Sequence, residues 1–279
     1  MLPSMFSGVS GLLTHQQRMN VIGNDIANVN TVGYKQSDVT FKEAYVTTLR
    51  APAPATPGQQ VGLGVQMGQI SRDFSGGALM QTGNASNMAV SGNGFMVVSD
   101  PLAGTQYFTR AGDFVLDVDA AANQTYLVTS EGRRLQGMMG GPPAPDLTGV
   151  NVGDLVDITL PANTSSYSVG LDGTLYVSVD GAAPEAMGRV ALASFENPSG
   201  LLAVGSNLYQ LTDAAVIREF ANPGEGGNGQ VFQGYLENSN VDLAGEFTDM
   251  IITQRGFQAN SRTITTSDEM LNELLMLKR

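Results

Sequence analysis

The sequence predicts an α+β protein: N- and C-terminal helices paired as a coiled coil, with an inserted all-β domain that is antiparallel and sandwich- or barrel-like. Three observations carry this expectation. Near the N-terminus, Met5, Leu12, Met19 and Ile26 recur at seven-residue intervals. Near the C-terminus, Leu243, Met250, Phe257, Ile264 and Leu271 repeat the same interval. Between these stripes lie short alternating or apolar runs separated by Asp-Gly and Glu-Gly turns.

The first stripe predicts a helix from about Pro3 to Asn28. Val9 sits at the other core-type spacing, and Phe6, Leu13 and Ile22 widen the stripe. Gln16 and Gly23 interrupt it where a coiled coil prefers aliphatics, and Asn30 and Gly33 are suited to ending it. Residues 1–34 are therefore assigned to the first helix of a coiled-coil domain. Residues 35–70 contain LRAPAPATPGQQVGLGVQMG, a Pro- and Gly-rich stretch that reads as an extended linker with a possible strand at its end. Residues 71–238 are β-rich. Runs such as YFTRAGDFVLDVD, SYSVGLDGTLYVSVDG and GRVALASFEN are strand-like, with turns at Glu131–Gly132, Asp172–Gly173 and Asp180–Gly181.

Residues 239–279 form the second helix. No proline follows Pro223, and the stripe allows a helix from Leu243 to Lys278, ~54 Å long at 1.5 Å per residue. Phe247 and Leu275 fill two more seam positions, and Ser239 with Asp242 three residues on is a capping signature. The outer faces of this helix carry Gln254, Gln258, Asn260, Ser261, Thr263, Thr265 and Thr266, where an exposed helix normally shows Glu and Lys. Uncharged polar groups there suit a helix with neighbours on several sides.

Charged residues make up 14 % of the 279 residues, against about 25 % in ordinary globular domains. The net charge of −12 is uneven. Residues 1–50 carry four basic and three acidic side chains, and residues 239–279 four and six. The middle keeps six basic against 17 acidic, so it is expected to face solvent. No basic patch speaks for nucleic acid. The chain has no cysteine, hence no disulfide framework. MLPSMFSGVSGLL lacks a basic n-region and a long apolar run, so no cleaved secretory signal is expected, and no window is long and apolar enough for membrane insertion.

Catalytic chemistry finds little support. His15 is the single histidine, and metal sites and triads need companions. No HExxH, Walker A or GxSxG pattern occurs. GNGFMVVSD lacks the setting of a dinucleotide loop. DVDAAAN, at 117–123, spaces Asp117 and Asp119 like a calcium loop, but it has Ala122 in place of the required Gly and Val128 in place of the distal Glu. No catalytic, cofactor or metal residue is assigned, and no enzyme is expected.

SGLLTHQQRMNVIGNDIANVNTVGYK resembles the N-terminal signature of bacterial flagellar axial proteins, which comprise rod, hook and hook-associated proteins. Asn24, Asn28, Thr31, Gly33, Tyr34 and Lys35 carry the motif. Asp25 stands where a second Asn is common, and Tyr34 where Phe is common. VGLGVQMGQISRDFSGGALMQTGNASNMAVSGNGFMVV and VALASFENPSGLLAVGSNLYQ are similar to the stretches that enter and leave the β domain of these proteins. GYLENSNVDLAGEFTDMIITQRGFQANSRTITTSDEMLNELLMLKR is similar to their C-terminal helix.

The resemblance implies a subunit of a helical tube, joined by contacts that do not close into a ring. Met5, Val9, Leu12, Met19, Ile26, Leu243, Met250, Phe257, Ile264 and Leu271 are the expected assembly seam. The implied partners are further copies of the chain, other axial proteins (distal rod, hook-associated junction protein, hook cap) and the flagellar type III export apparatus. The implied location is the extracellular flagellum, reached without a cleaved signal. VGLGV, RRLQGMMG and TTSDEMLNELLMLKR lean towards a short hook subunit, part of a flexible joint that transmits torque from motor to filament. APAPATPGQQ points to the alternative, a distal rod subunit in a rigid drive shaft, because an insertion near this place stiffens rod subunits in the family. An enzyme or adhesin within the β domain is a remoter alternative, since residues 70–238 supply no catalytic set.

Overall fold

The computed structural model describes residues 2–51, 57–119, 124–141, 144–147 and 154–277. The chain is α+β, with a helix at each end and a large β region between them. It divides into two units. One holds both helices and residues 36–73; the other holds residues 30–35 and 74–240.

In the first unit, α1 (Leu2–Ala27) and α2 (Leu243–Leu277) lie antiparallel. Ser4 near the start of α1 meets Ser267 near the end of α2, and Arg18 meets Asp249 at the opposite ends. Glycine sets the spacing. A Cβ on Gly11 would lie 2.6 Å from the Asn260 amide, and one on Gly256 would lie 2.5 Å from the His15 ring. Glycine inside a helix costs about 1 kcal/mol relative to alanine; at these points it lets the backbones approach. Asn28 closes α1, its Nδ2 donating to the Asn24 carbonyl at 2.8 Å. Asp242 opens α2 by accepting from the Ala244 N–H at 3.0 Å.

Residues 35–70, expected to be an extended linker with a possible strand at its end, carry four strands among the described residues, paired as a hairpin. β1 (Ser37–Glu43) pairs with β4 (Val65–Arg72), from Ser37↔Arg72 to Glu43↔Val65. β2 (Val46–Arg50) continues the ladder with β3 (Gln59–Gly62), bridged by Ala44 N–H to Gly64 O and Leu63 N–H to Tyr45 O. Residues 52–56, between these strands, lie outside the described residues. β2 and β3 are exposed throughout, so no buried face imposed the alternation that would have marked them as strands. The hairpin base rests on α1 through Val65 N–H to Ser10 Oγ (3.3 Å) and an edge-to-face contact of Phe41 with His15.

In the second unit, fourteen antiparallel strands among the described residues form one branched network, where the sequence predicts a sandwich or barrel. Its hub is the strand Phe95–Ser99, which pairs with Gln106–Thr109, Arg134–Met139 and Leu192–Phe195. This strand is buried on both faces. Met96 and Val98 join one core with Leu127, Leu135, Ile158 and Val190. Phe95 and Val97 join the other with Phe108, Phe195, Tyr209 and Phe220. Burial on both faces explains its continuous apolar run. The expected turns are present. Asp180 and Gly181 both have positive φ (50° and 76°), and Ala182 N–H donates to Val179 O, closing a tight turn between the strands Thr174–Val179 and Glu185–Val190. Gly132 and Gly173 also take positive φ. Asp117 and Asp119 lie on the strand Val115–Asp119, which pairs with Gln124–Val128; residues 120–123 lie outside the described residues.

Candidate assembly interface

The helix pair meets along small and polar side chains. Gly8, Gly11, Thr14, Ile22 and Asp25 of α1 are buried, as are Glu246, Thr253 and Ser267 of α2. With half-buried Asn260, the α2 set is itself a seven-residue repeat, displaced by four positions from the apolar one. Most of the apolar stripe flanks this row, while Ile264 packs on Gly8, where an added Cβ would lie 3.0 Å from Ile264 Cγ1. Met5, Leu12, Met19, Ile26, Met250, Ile264 and Leu271 are half-buried, while Val9, Leu243 and Phe257 are 44 %, 39 % and 38 % exposed. Phe6, Leu13, Phe247, Ile251, Ile252, Leu274 and Leu275 are more exposed still. Large exposed apolar side chains therefore line both helices.

Polar groups fix the pairing at one end. Arg18 bonds Asp249 at 3.0 Å, and Gln36 Nε2 donates to Glu246 Oε1 at 2.6 Å. The Ser37 N–H donates to Asp25 Oδ2 at 3.2 Å. Burial holds the Glu246 carboxyl above its ordinary range, assisted by Asp25 and Asp249 and opposed by the Gln36 hydrogen bond and Arg18. Burial, then the charge of Arg18, lowers the pKa of His15.

The family motif ends in a buried ion cluster within the second unit. Asn24 is exposed at the α1 terminus and Thr31 is half-buried, whereas Gly33, Tyr34 and Lys35 are buried. Gly33 has φ +68, and a Cβ there would lie 2.6 Å from the Ala111 backbone nitrogen; its N–H donates to the Glu237 carbonyl at 2.8 Å. Only glycine meets both demands cheaply. The next residues deliver Lys35 into the interior. Its Nζ donates to Glu237 Oε1 at 2.7 Å and to the Ser75 carbonyl at 2.6 Å. Glu237 Oε2 accepts from Arg110 Nη1 at 3.3 Å, and Gly77 N–H donates to Oε1. Arg110 also donates to the Gly92 carbonyl at 2.8 Å and lies over the Phe95 ring.

Sequence reasoning placed Lys35 in a motif but missed Glu237 and Arg110. Glu237 lies 202 residues from Lys35 and 127 from Arg110. A single Glu beside a short strand looks like any surface carboxylate until the chain is folded. The clue was compositional: in a sparsely charged chain, YFTRAGDF sets one Arg among strand residues. Among the described residues no acidic, His or Cys cluster could hold a metal ion, and no helix is long and apolar enough to cross a membrane.

Three family descriptions match the chain. Residues 5–35 match "Flagella basal body rod protein", residues 89–177 match "Flagellar hook protein FlgE/F/G D1 domain", and residues 233–277 match "Flagellar basal body rod FlgEFG protein C-terminal". The chain is 42 % identical to the flagellar basal-body rod protein FlgG of Bacillus subtilis (strain 168) over 287 residues, covering both chains fully. It is 33 % identical to FlgG of Caulobacter vibrioides (strain ATCC 19089 / CIP 103742 / CB 15), covering 99 % of this chain and all of that one. It is 27 % identical to the flagellar hook protein FlgE of Borreliella burgdorferi (strain ATCC 35210 / DSM 4680 / CIP 102532 / B31), also with full coverage of both, but over a 449-residue alignment. These relatives are structural rod and hook proteins, not enzymes, and the identity runs end to end. The chain belongs to the flagellar rod/hook family of axial structural proteins.

Proposed function

We propose that the chain is a distal-rod-type subunit that assembles with copies of itself into a straight, stiff tube, rather than the hook subunit first expected from its motifs. The observation that carries this is the full-length 42 % identity to a rod protein without large length change. The hook relative needs a 449-residue alignment to a chain of 279, so it contains a long stretch that this chain does not. The hairpin over residues 37–72 supports the same reading. It is a paired element resting on α1, in the segment whose insertion already pointed to the rod alternative.

In the assembly, the exposed apolar faces of α1 and α2 meet neighbouring subunits, with Met5, Val9, Leu12, Met19, Ile26, Leu243, Met250, Phe257, Ile264 and Leu271 at or beside the contact. The remaining axial proteins of the shaft and the type III export apparatus are its further partners, and the chain is exported with its N-terminal segment intact. Electron microscopy of the purified polymer tests the rod reading. Straight tubes of uniform diameter are expected; curved or supercoiled tubes would return the assignment to the hook.

A further inference from the structure

The single histidine of the chain stands where three elements of the first unit meet. His15 belongs to α1. Its ring covers Gly256 of α2, where an added Cβ would lie 2.5 Å from Cε1, 2.6 Å from Nε2 and 3.1 Å from Nδ1. The same ring meets Phe41 of β1 edge to face, with centroids 5.5 Å apart. Arg18, one turn along α1, places its guanidinium 5.7 Å from the centre of the Phe41 ring and bonds Asp249 of α2 at 3.0 Å. One side chain thus joins the hairpin base to both helices.

The Nδ1 atom of His15 is buried and has no hydrogen-bond partner among the described residues. A neutral imidazole carries its proton on one nitrogen and a lone pair on the other. With the proton on Nε2, the buried Nδ1 presents only a lone pair. Protonation places an N–H there, with part of a positive charge and no acceptor, and a buried unpaired charged donor is costly. The charged groups of the surrounding elements offer no relief. On α1, Arg18 is a like charge. On α2, Asp249 is taken up by Arg18, and Arg255 beside Gly256 is a further cation. On β1, Lys42 follows Phe41, and the Glu43 carboxylate lies over Gly62 of β3. Arg72 on β4 sits opposite Ser37, at the far end of the ladder. Burial first, and then the Arg18 charge, hold the imidazole below its ordinary pKa.

We propose that His15 is a proton-sensitive latch: uncharged, it holds the hairpin base against the helix pair, and protonated it lets the hairpin detach while the helices stay paired. The pairing survives because the helices also meet away from the ring, at Ser4 with Ser267 and at Gly11 with Asn260. Glu246, at the hairpin root, has the opposite sign: acid neutralises its buried carboxyl, so it does not produce release in acid.

The test is NMR of the full-length, unassembled chain over falling pH. One histidine makes the imidazole resonances unambiguous. Hydrogen-exchange protection, corrected for the intrinsic pH dependence of exchange, is followed at two amides. Val65, whose N–H donates to Ser10 Oγ at 3.3 Å, reports the hairpin base. Thr253, buried inside α2, reports the helix pair. His15 should titrate below 6.5. Between 6.5 and that lower midpoint, Val65 protection should fall by up to about tenfold per pH unit, then level off, while Thr253 stays protected. His15→Phe keeps a ring without a titrating nitrogen, and its Val65 protection should be flat over the same range. If that larger ring does not fit against Gly256, His15→Gln makes the same comparison. Phe41→Ala uncovers the imidazole, and its midpoint should move towards 6.5. A parent midpoint at or above 6.5, a Val65 loss that persists in both His15 variants, or Thr253 and Val65 losing protection together would overturn the latch.

Discussion

At Lys35, Arg110 and Glu237 a few atoms determine whether the β unit keeps its interior. Removing one partner of a buried ion pair typically costs about 3–5 kcal/mol, because the survivor is left charged and unpaired. The three positions are not equivalent. Lys35→Met leaves Glu237 with Arg110 and the Gly77 N–H, whereas Glu237→Gln leaves two buried cations facing a neutral amide. Urea unfolding should therefore show Glu237→Gln to be the more destabilising; the reverse order would mean that Lys35, not Glu237, is the hub. Two glycines make an equally local contrast. Gly33→Ala forces a side chain into the left-handed region, at about 1–2 kcal/mol, and onto the Ala111 backbone, so a loss above ~2 kcal/mol is expected. Gly23, in the interior of α1, has nothing within 4 Å of its added Cβ. Gly23→Ala should gain up to about 1 kcal/mol of helix stability, read as increased helical signal in circular dichroism.

At the scale of elements, the antiparallel pairing of α1 and α2 is tuned by titrating groups. The Glu246 carboxyl is protonated more readily in the folded pair than in the unfolded chain. Its contribution is therefore full below the unfolded value of 4.5 and is lost as pH rises through the elevated folded value. Glu246→Gln stays neutral and keeps an acceptor for Gln36, so its helix pair should melt at a higher temperature than the parent's at pH 7. The two curves should converge below pH 4.5; a constant difference at all pH values would exclude the charge as its cause. His15 has the opposite sign. Its folded pKa is lowered, so its contribution is present above 6.5 and is lost as pH falls through the depressed value. Much of this element was legible in advance. The heptads place both helices; of the capping signature Ser239 and Asp242, it is Asp242, directly before Leu243, that accepts at the helix start. Which stripe faces the partner helix was not legible. Periodicity favours large apolar residues, but the backbones approach closely enough that Gly8, Gly11, Gly256 and Thr253 make the contact. Glycine carries no hydrophobic signal, and its role shows only when a second helix stands against it.

At the scale of the whole molecule, the proposed assembly assigns the exposed apolar stripe to contacts with other copies of the chain. A charge placed in it is costly wherever the stripe becomes buried, and close to neutral in the isolated chain. Phe257→Asp should thus leave the monomer folded, with the parent's unfolding midpoint for the β unit, and should stop tube formation. Sedimentation velocity with negative-stain microscopy would check both. Tubes formed normally by this variant would remove Phe257 from the assembly contact. The low charge density fits the same picture: amides and hydroxyls on α2 can exchange hydrogen bonds with neighbours without the desolvation cost of charges.

The sequence by itself determined the two terminal helices, the β-rich insertion, the hairpin turns at Asp180–Gly181 and Glu131–Gly132, and the axial-protein family. Each is written in local periods, in turn residues that need positive φ, or in a contiguous motif. Only the tertiary structure decided three other things. It paired residues 37–50 with 59–72 as a hairpin, where the sequence marked a linker with a possible strand at its end, because exposed strands carry no buried face to reveal them. It put glycine and threonine alongside the apolar heptad in the helix contact, because closeness of approach is a property of two helices together. It also joined Lys35 to Glu237 and Arg110, because a buried charge finds its partner through space, and those partners are separated by most of the chain.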